Sequence, residues 1–359
     1  MNSKLLNLDL KLLAPVFILI AISLMTLFSI SPVLARSQAI FVGISFIAYI
    51  FFSNFNLKIF QFYSIPIYLI SIVFLVLVFL IGIESRGSIR WVEILGFRIQ
   101  FSEVLKPFLA ISLASYLSEK RTFNFEVLIK TFLLLLPIVF LIFLQPDLGD
   151  ALIYGMVVLC ILIYLGFSFK YFLAIFAPLF LIAPIFWNIL HDYQKQRILT
   201  FLNPGQDPLG FSYNVIQSVI AVGSGMFLGK GLGLGTQSGL KFLPERHTDF
   251  IFATLSEQLG FVGAIIILIA FGFLLYRIYK HVERAENVFA KTFFSIIFFA
   301  FLLQFFINIG MNIGILPIVG VTLPFVSYGG SSLLSNFIFL GLMVSVGKSE
   351  KRGEVLEIK

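Results

Sequence analysis

Cysteine is all but missing from this 359-residue chain, histidine is scarce, and charge is thin. The single Cys160 lies in an apolar run, which excludes a disulfide framework and a cysteine-built zinc site. His191, His247 and His281 are too far apart in sequence to show metal-ligand spacing. Charged residues are 12% of the chain against 59% hydrophobic, which excludes an ordinary soluble protein. There is no internal repeat and no pair of interrupted helices in inverted halves. The net charge of +7 is no nucleic-acid signature, because the basic residues sit mainly in short loops between apolar runs.

What is present is hydrophobic length. Mean hydropathy is +1.03, and runs long enough to span a bilayer, about 20 residues, recur throughout. The sequence predicts an all-α polytopic membrane protein, one domain over 1–359, with ten spans near 12–31, 38–53, 63–83, 101–118, 127–144, 151–168, 171–190, 250–276, 291–313 and 329–347. The first resembles a signal peptide, but the core from Leu12 to Ile30 is too long for one and reads as a retained helix. Ten spans put both termini on one side. Fifteen of the 25 basic residues fall in that side's loops, so it is the cytoplasmic side. Nine of the other ten gather in two external regions, 84–106 and 191–249, where opposition to the topological rule suggests a job such as meeting an anion. The 45 phenylalanines read as mostly lipid-facing filler.

Leu240–Gly260 is the densest polar stretch, with Lys241, Glu245, Arg246, His247, Asp249 and Glu257. Pro244 breaks the backbone, and Thr248 or Asp249 is placed to cap a helix whose apolar run begins at Phe250. A carboxylate at the water–lipid boundary is costly, which makes Asp249 a functional candidate, with a plain helix cap as the blander reading. The loop 191–249 is external and too short and glycine-rich for a folded domain. Its segment 222–235 holds six glycines in fourteen residues, read either as an anion-binding nest or as a turn packed on the helices. Tyr213–Val222 before it fits a short amphipathic helix at the interface.

Other polar groups carry double readings. Glu103 and Lys106 are three apart, on one helix face, as an ion pair or as site residues. Arg90 precedes Trp91, which fits an interfacial aromatic belt as well as a site. Gln145-Pro-Asp-Leu-Gly149 is a tight turn in which Asp147 caps the next helix. Arg197 suits bidentate phosphate pairing or interfacial snorkelling. Ser327-Tyr-Gly-Gly-Ser-Ser332 is first a small-residue packing element.

Taken together, Arg90-Trp91, Gln100-x-Ser-Glu-x-x-Lys106, Gln145-Pro-Asp-Leu-Gly149, Leu243-Pro-Glu-x-His-Thr-Asp-Phe-Ile-Phe252 and Leu323-Pro-Phe-x-Ser-Tyr-Gly-Gly-Ser-Ser332 resemble the SEDS family (shape, elongation, division and sporulation) over nearly the whole chain. Gly235-Thr-Gln-Ser238 and Asn308-Ile-Gly-Met-Asn-Ile-Gly314 resemble its elongation branch. The resemblance implies a peptidoglycan glycosyltransferase at the outer face of the inner membrane, polymerising lipid II, a disaccharide-pentapeptide on undecaprenyl pyrophosphate. It also implies a class B penicillin-binding protein and the elongation machinery as partners. The family's essential aspartate falls on Asp249, its tryptophan on Trp91, its helix pair on Glu103 and Lys106, and a further acid on Asp147. The chain departs from the family at Phe101, where proline is usual, and at Met226, where glycine is usual.

An inverting displacement of pyrophosphate by a sugar hydroxyl needs one general base and fixed positive charge. Asp249 is the expected base. Arg90, Lys106 and Arg197 are the expected pyrophosphate contacts, with Trp91 and His247 in the substrate-binding set. Glu103 and Asp147 either orient the cations or hold a divalent ion, Mg2+ or Mn2+. The rival readings are a flippase of lipid-linked precursors and a non-catalytic scaffold for a crosslinking enzyme. A flippase would bury its charges near the bilayer midplane on broken helices.

Overall fold

The structure, a computed structural model, describes residues 9–55, 57–85, 88–94, 96–120, 122–177, 188, 195, 199 and 212–357. Its first half holds α1 (Leu10–Ile30), α2 (Pro32–Ser53), α3 (Leu57–Phe62), α4 (Ser64–Ile81), strands β1 (Ile83–Ser85), β2 (Ser88–Ile94) and β3 (Phe97–Ile99), then α5 (Phe101–Val104), α6 (Lys106–Ser118), α7 (Phe125–Leu144) and α8 (Leu148–Tyr164). The second half holds α9 (Tyr213–Ser224), α10 (Thr236–Gly239), α11 (Ile251–Arg284), α12 (Val288–Asn312) and α13 (Gly330–Glu357).

Local chemistry sets several helix starts. Asp9 caps α1, its carboxylate accepting from the Leu12 amide at 3.2 Å. Asn124 caps α7 through the Val127 amide at 3.0 Å, and Pro32 occupies the first turn of α2.

Among the described residues, seven helices are long and apolar enough to cross a membrane: α1, α2, α4, α7, α11, α12 and residues 330–349 of α13. The protein is therefore a multi-pass, all-α membrane protein. Helix α8 is apolar but only 17 residues long. The expected fourth span is split at Leu105 into α5 and α6. The expected span 171–190 lies mostly outside the described residues, as does 191–211 of the expected loop.

Helix α13 is the bundle's central element, its crossing segment 83% buried against 17% for α4. Phenylalanine fills the core around it. Phe301 meets Phe325 and Phe339 edge-on at 5.6 and 6.1 Å, and Phe325 meets Phe337 at 5.7 Å. The filler reading of the phenylalanines is therefore corrected: many face lipid, but a buried set packs the helices. With lipid on the outside, helix association rests on such packing rather than on water exclusion.

A three-stranded antiparallel sheet, in the order β1-β2-β3, sits between α4 and α5 where the sequence had suggested only a loop. It delivers the chain to α5, whose first residue, Phe101, stacks on Phe74 at 5.0 Å. Phe101 thus starts the helix without the family's proline, anchored by a ring contact instead.

Candidate functional site

Arg246 to Asp249 form a loop in which four successive backbone carbonyls are engaged. The Arg246 carbonyl accepts from Thr254 Oγ1 at 3.0 Å, and that of His247 from the Tyr328 amide at 2.9 Å. The Thr248 carbonyl accepts from Ser327 Oγ at 2.7 Å. The Asp249 carbonyl takes two donors, Asn308 Nδ2 at 3.1 Å and Asn312 Nδ2 at 2.9 Å. Asn312 also caps α11 from outside, its Oδ1 accepting from the Ala253 amide at 3.0 Å. The cap position itself falls on Phe250, which offers no side-chain bond, so the expected capping by Thr248 or Asp249 is replaced by a group from α12. Asn308 lies 17 residues along α12 from Lys291, about 25 Å at 1.5 Å per residue, near the edge of a hydrocarbon layer about 30 Å thick. Asp249 is half-buried at this end of the bundle, called the site end below.

A second cluster lies on α5, α6 and α8. Lys106 Nζ is 2.8 Å from Glu103 Oε2 and 2.7 Å from Asp150 Oδ1, and all three side chains are buried. Ser102 Oγ donates to Asp150 Oδ2 at 2.7 Å, and Tyr154 OH donates to the Ser102 carbonyl at 2.8 Å. Asp147 caps α8, its Oδ1 accepting from the Asp150 amide at 3.2 Å. Its Oδ2 accepts from Gln100 Nε2 and faces Arg90 Nη1 at 3.6 Å. Burial, and then the charge of Asp150, push the Asp147 carboxyl up to about 6, with Arg90 pulling against them. An apolar cavity of about 420 Å³ runs from Lys106 and Tyr154 toward Tyr116 and Glu119.

The two clusters meet through residues 319–321. A Cβ on Gly149 would lie 2.5 Å from the Val319 carbonyl oxygen, so only glycine lets the Asp147–Asp150 turn approach this segment. On the segment's other contact, a Cβ on Gly320 would lie 3.5 Å from Asp249 Oδ2. Asn308 Nδ2 also holds the Val321 carbonyl at 2.7 Å. The aspartate and the buried ion-pair cluster are thus neighbours across one stretch of backbone.

The glycine run has a different task from the expected nest. Gly260, at φ 64° and ψ −160°, breaks α11, freeing carbonyls before it and amides after it. The run satisfies them: the Lys230 and Gly231 amides donate to the Glu257 and Gln258 carbonyls at 2.9 and 3.0 Å, and the Phe261 and Val262 amides donate to the Met226 and Phe227 carbonyls at 2.8 and 3.2 Å. An anion site does form next to it, but the protein fills it. The fully buried Glu257 carboxylate accepts from the Gln237 and Ser238 amides at 2.8 and 2.9 Å and from Lys230 Nζ at 3.2 Å. Met226, where the family has glycine, holds a left-handed φ of 49°.

Of the expected site residues, the structure joins Arg90, Glu103, Lys106 and Asp147 in one network and sets Asp249 beside it. Trp91 follows Arg90 on β2, and strand alternation puts it on the opposite face. The His247 ring packs 5.7 Å from that of Tyr328. Arg197 lies outside the described residues. Asp150, Asn308 and Asn312 are additions. Asp150 adjoins the 145–149 motif, and the four-residue spacing of the two asparagines on one helix face was a readable signal. Lys106 faces Glu103 Oε2 and Asp150 Oδ1, Ser102 donates to Asp150 Oδ2, and Gln100 and Arg90 face Asp147 Oδ2; among the described residues no three His, Cys, Asp or Glu are grouped to hold a metal ion.

Residues 3–352 match the family of cell cycle proteins that comprises FtsW, RodA and SpoVE. The chain is 39% identical to the peptidoglycan glycosyltransferase MrdB of Escherichia coli K12, over 79% of this chain and 78% of that one. It is 35% identical to stage V sporulation protein E of Bacillus subtilis 168, over 97% and 99%. Among solved structures it resembles a chain of a peptidoglycan synthase complex that coordinates polymerization and crosslinking, with a TM-score of 0.84 and 30% identity over 96% of this chain and 98% of that one. It resembles the rod shape determining protein RodA of Thermus thermophilus with a TM-score of 0.71 and 26% identity over the same shares.

Proposed function

The chain belongs to the FtsW, RodA and SpoVE family of cell cycle proteins, and from that premise we propose that it is a peptidoglycan glycosyltransferase that polymerises lipid II during cell elongation. The observation that carries this reading is the adjacency of a backbone-clamped carboxylate, Asp249, to a network of two cations and three carboxylates at one end of the bundle, with Arg90 its partly exposed member.

Asp249 is the general base. It takes the proton from the acceptor sugar's 4-hydroxyl as that oxygen attacks the anomeric carbon, with inversion, and pyrophosphate leaves. Such a base contributes about 10²–10⁴-fold. Its four tethered carbonyls hold it in place before substrate arrives, which is where preorganisation lowers the barrier. Arg90, with a third of its side chain exposed, is a cation of this network open to the pyrophosphate. Arg197 is a further candidate contact and His247 lies beside the sugar, while Trp91, on the other face of β2 from Arg90, remains a candidate contact that this geometry does not support. Lys106 has two carboxylate partners and little exposure, so its role is to hold α5, α6 and α8 in register beneath Arg90. The apolar cavity below Lys106 suits the polyprenyl tail.

The break at Leu105 and the buried charges beside it are also what a flippase would use. They lie within five residues of the start of α5, about 7 Å of helix rise, rather than at mid-bilayer, which favours the polymerase. By its likeness to a chain of a polymerising and crosslinking complex, we place a class B penicillin-binding protein as partner, within the elongation machinery. The setting we propose is the bacterial inner membrane, with both termini cytoplasmic and Asp249 at the outer face.

The test is Asp249→Asn in the purified protein given lipid II. Strand synthesis should fall by at least about 10²-fold, as loss of a general base requires. Synthesis near the wild-type rate would end the assignment.

A further inference from the structure

Residues 226–234, Met-Phe-Leu-Gly-Lys-Gly-Leu-Gly-Leu, are exposed out of proportion to their chemistry. Met226 is 80% exposed, Leu228 76%, Leu234 71% and Phe227 65%. In water a contiguous patch of this kind is a liability or a binding surface.

Three observations identify what covers it. First, it continues a lipid-facing stripe. Val262, Ile266, Ile269, Phe273 and Tyr276 are all exposed at the 4-3-4-3 spacing of one face of α11. The segment joins this stripe at its end, the Phe227 ring lying 6.0 Å from that of Phe261 and the Phe227 carbonyl accepting from the Val262 amide. Second, the depth fits. Val262 lies 15 residues from Arg277, the first charge toward the other end of α11, which is about 22 Å of rise and inside a hydrocarbon layer about 30 Å thick. Third, the segment's charge and several of its amides find partners within the protein, which lowers the cost of leaving water. The segment's one charge, Lys230, is paired with Glu257 and donates to Thr236 Oγ1 at 2.8 Å. The amides of Gly229, Lys230, Gly231 and Leu234 all have carbonyl acceptors.

We infer that residues 226–234 form a wedge seated among the acyl chains of the leaflet at the site end. Exposed Val219 and Ile220 of α9 flank it. The partner is the bilayer lipid itself. The wedge is bonded directly to residues 257–262, which end the short helix beginning two residues after Asp249. Lipid contact is therefore built into the support of the site.

The test uses the full chain with Cys160→Ala, spin-labelled at Leu228→Cys or Leu234→Cys, in nanodiscs of phosphatidylethanolamine and phosphatidylglycerol. Both positions are exposed, so the label disturbs no core. Collision with oxygen, which partitions into hydrocarbon, is compared with collision with the polar complex NiEDDA. Ile269→Cys serves as the lipid reference and exposed Glu93→Cys as the water reference. The expected result is Ile269-like oxygen access at both wedge positions, with NiEDDA collision roughly tenfold below that at Glu93, since a polar complex is excluded from hydrocarbon. NiEDDA access matching Glu93 would overturn the proposal, showing a water-exposed loop. Shielding from both reagents would overturn it equally, showing a second protein surface or a second copy on the patch.

Discussion

The two asparagines beneath Asp249 give the sharpest test of how the site is held. Its carbonyl accepts from Asn308 at 3.1 Å and from Asn312 at 2.9 Å, so either single replacement leaves one donor. Asn312→Asp keeps an oxygen that can cap Ala253 and replaces the donating nitrogen with a carboxyl oxygen, which faces the Asp249 carbonyl without a donated bond. Asn308→Leu keeps the branched outline of the side chain, at a somewhat larger volume, and removes its donor. Each alone removes two donated bonds, Asn308 also losing the Val321 carbonyl and Asn312 the Asn308 carbonyl, so at about 1 kcal/mol per bond and about 1.4 per tenfold it should slow polymerisation by roughly thirtyfold or less. Together they leave a carbonyl at a membrane boundary with neither donor, a penalty of about 1–3 kcal/mol that the loop relieves by shifting. A displacement of about 1 Å at a reacting group costs on the order of 10²-fold. The double variant should therefore fall well below the product of the singles in kcat, with KM for lipid II nearly unchanged. The assay is strand synthesis by purified protein, alongside thermal melting of each variant. Additive losses, or a double variant retaining a tenth of the wild-type rate, would refute the claim that these bonds aim the carboxylate. Loss tracking the melting temperature alone would refute it too.

The other expectations concern the neighbouring network. Lys106→Ala leaves Glu103 and Asp150 buried without their cation, and should cost about 3–5 kcal/mol of stability, read as a fall in melting temperature. The triple variant Glu103→Gln, Lys106→Met, Asp150→Asn should recover most of that loss, and failure to recover would mean the network matters for more than charge balance. Gly149→Ala drives a methyl into the Val319 carbonyl and, through residues 319–321, against Asp249. It should lower polymerisation by at least about tenfold, within the range expected when a reacting group is misplaced, and an unaffected rate would show that the two clusters act independently.

Much of this was readable from the chain. Three-residue spacing put Glu103 and Lys106 on one face, and they pair at 2.8 Å. Pro146 and Gly149 marked a turn, and Asp147 caps the helix after it. Apolar length marked the seven described helices long enough to cross a membrane. What stayed hidden was set by tertiary contact. Nothing local says that Asp150 completes the pair on another helix, or that the anion site near the glycine run is filled by Glu257. The strands β1 and β3 are only three residues each, too short for alternation to stand out. The break at Gly260 falls inside a run that hydropathy reads as continuous, because a backbone kink leaves no trace in side-chain polarity.

That break divides α11 into a spanning shaft and a nine-residue outer rod, 251–259, about 13 Å long. The rod is pinned near its front by Asn312 at Ala253 and buckled at its rear by Glu257. With the fulcrum near the front, travel at the rear reaches residue 249 reduced in amplitude. Shaft and rod are joined not only through Gly260 but also by residues 226–231, which bond to both, and the rod is tied to α1 by Ser29 Oγ donating to Gln258 Oε1 at 2.7 Å. The candidate base thus stands on a short rod whose rear is laced to the spanning shaft by residues 226–231, so its seat depends on that segment as much as on its own helix.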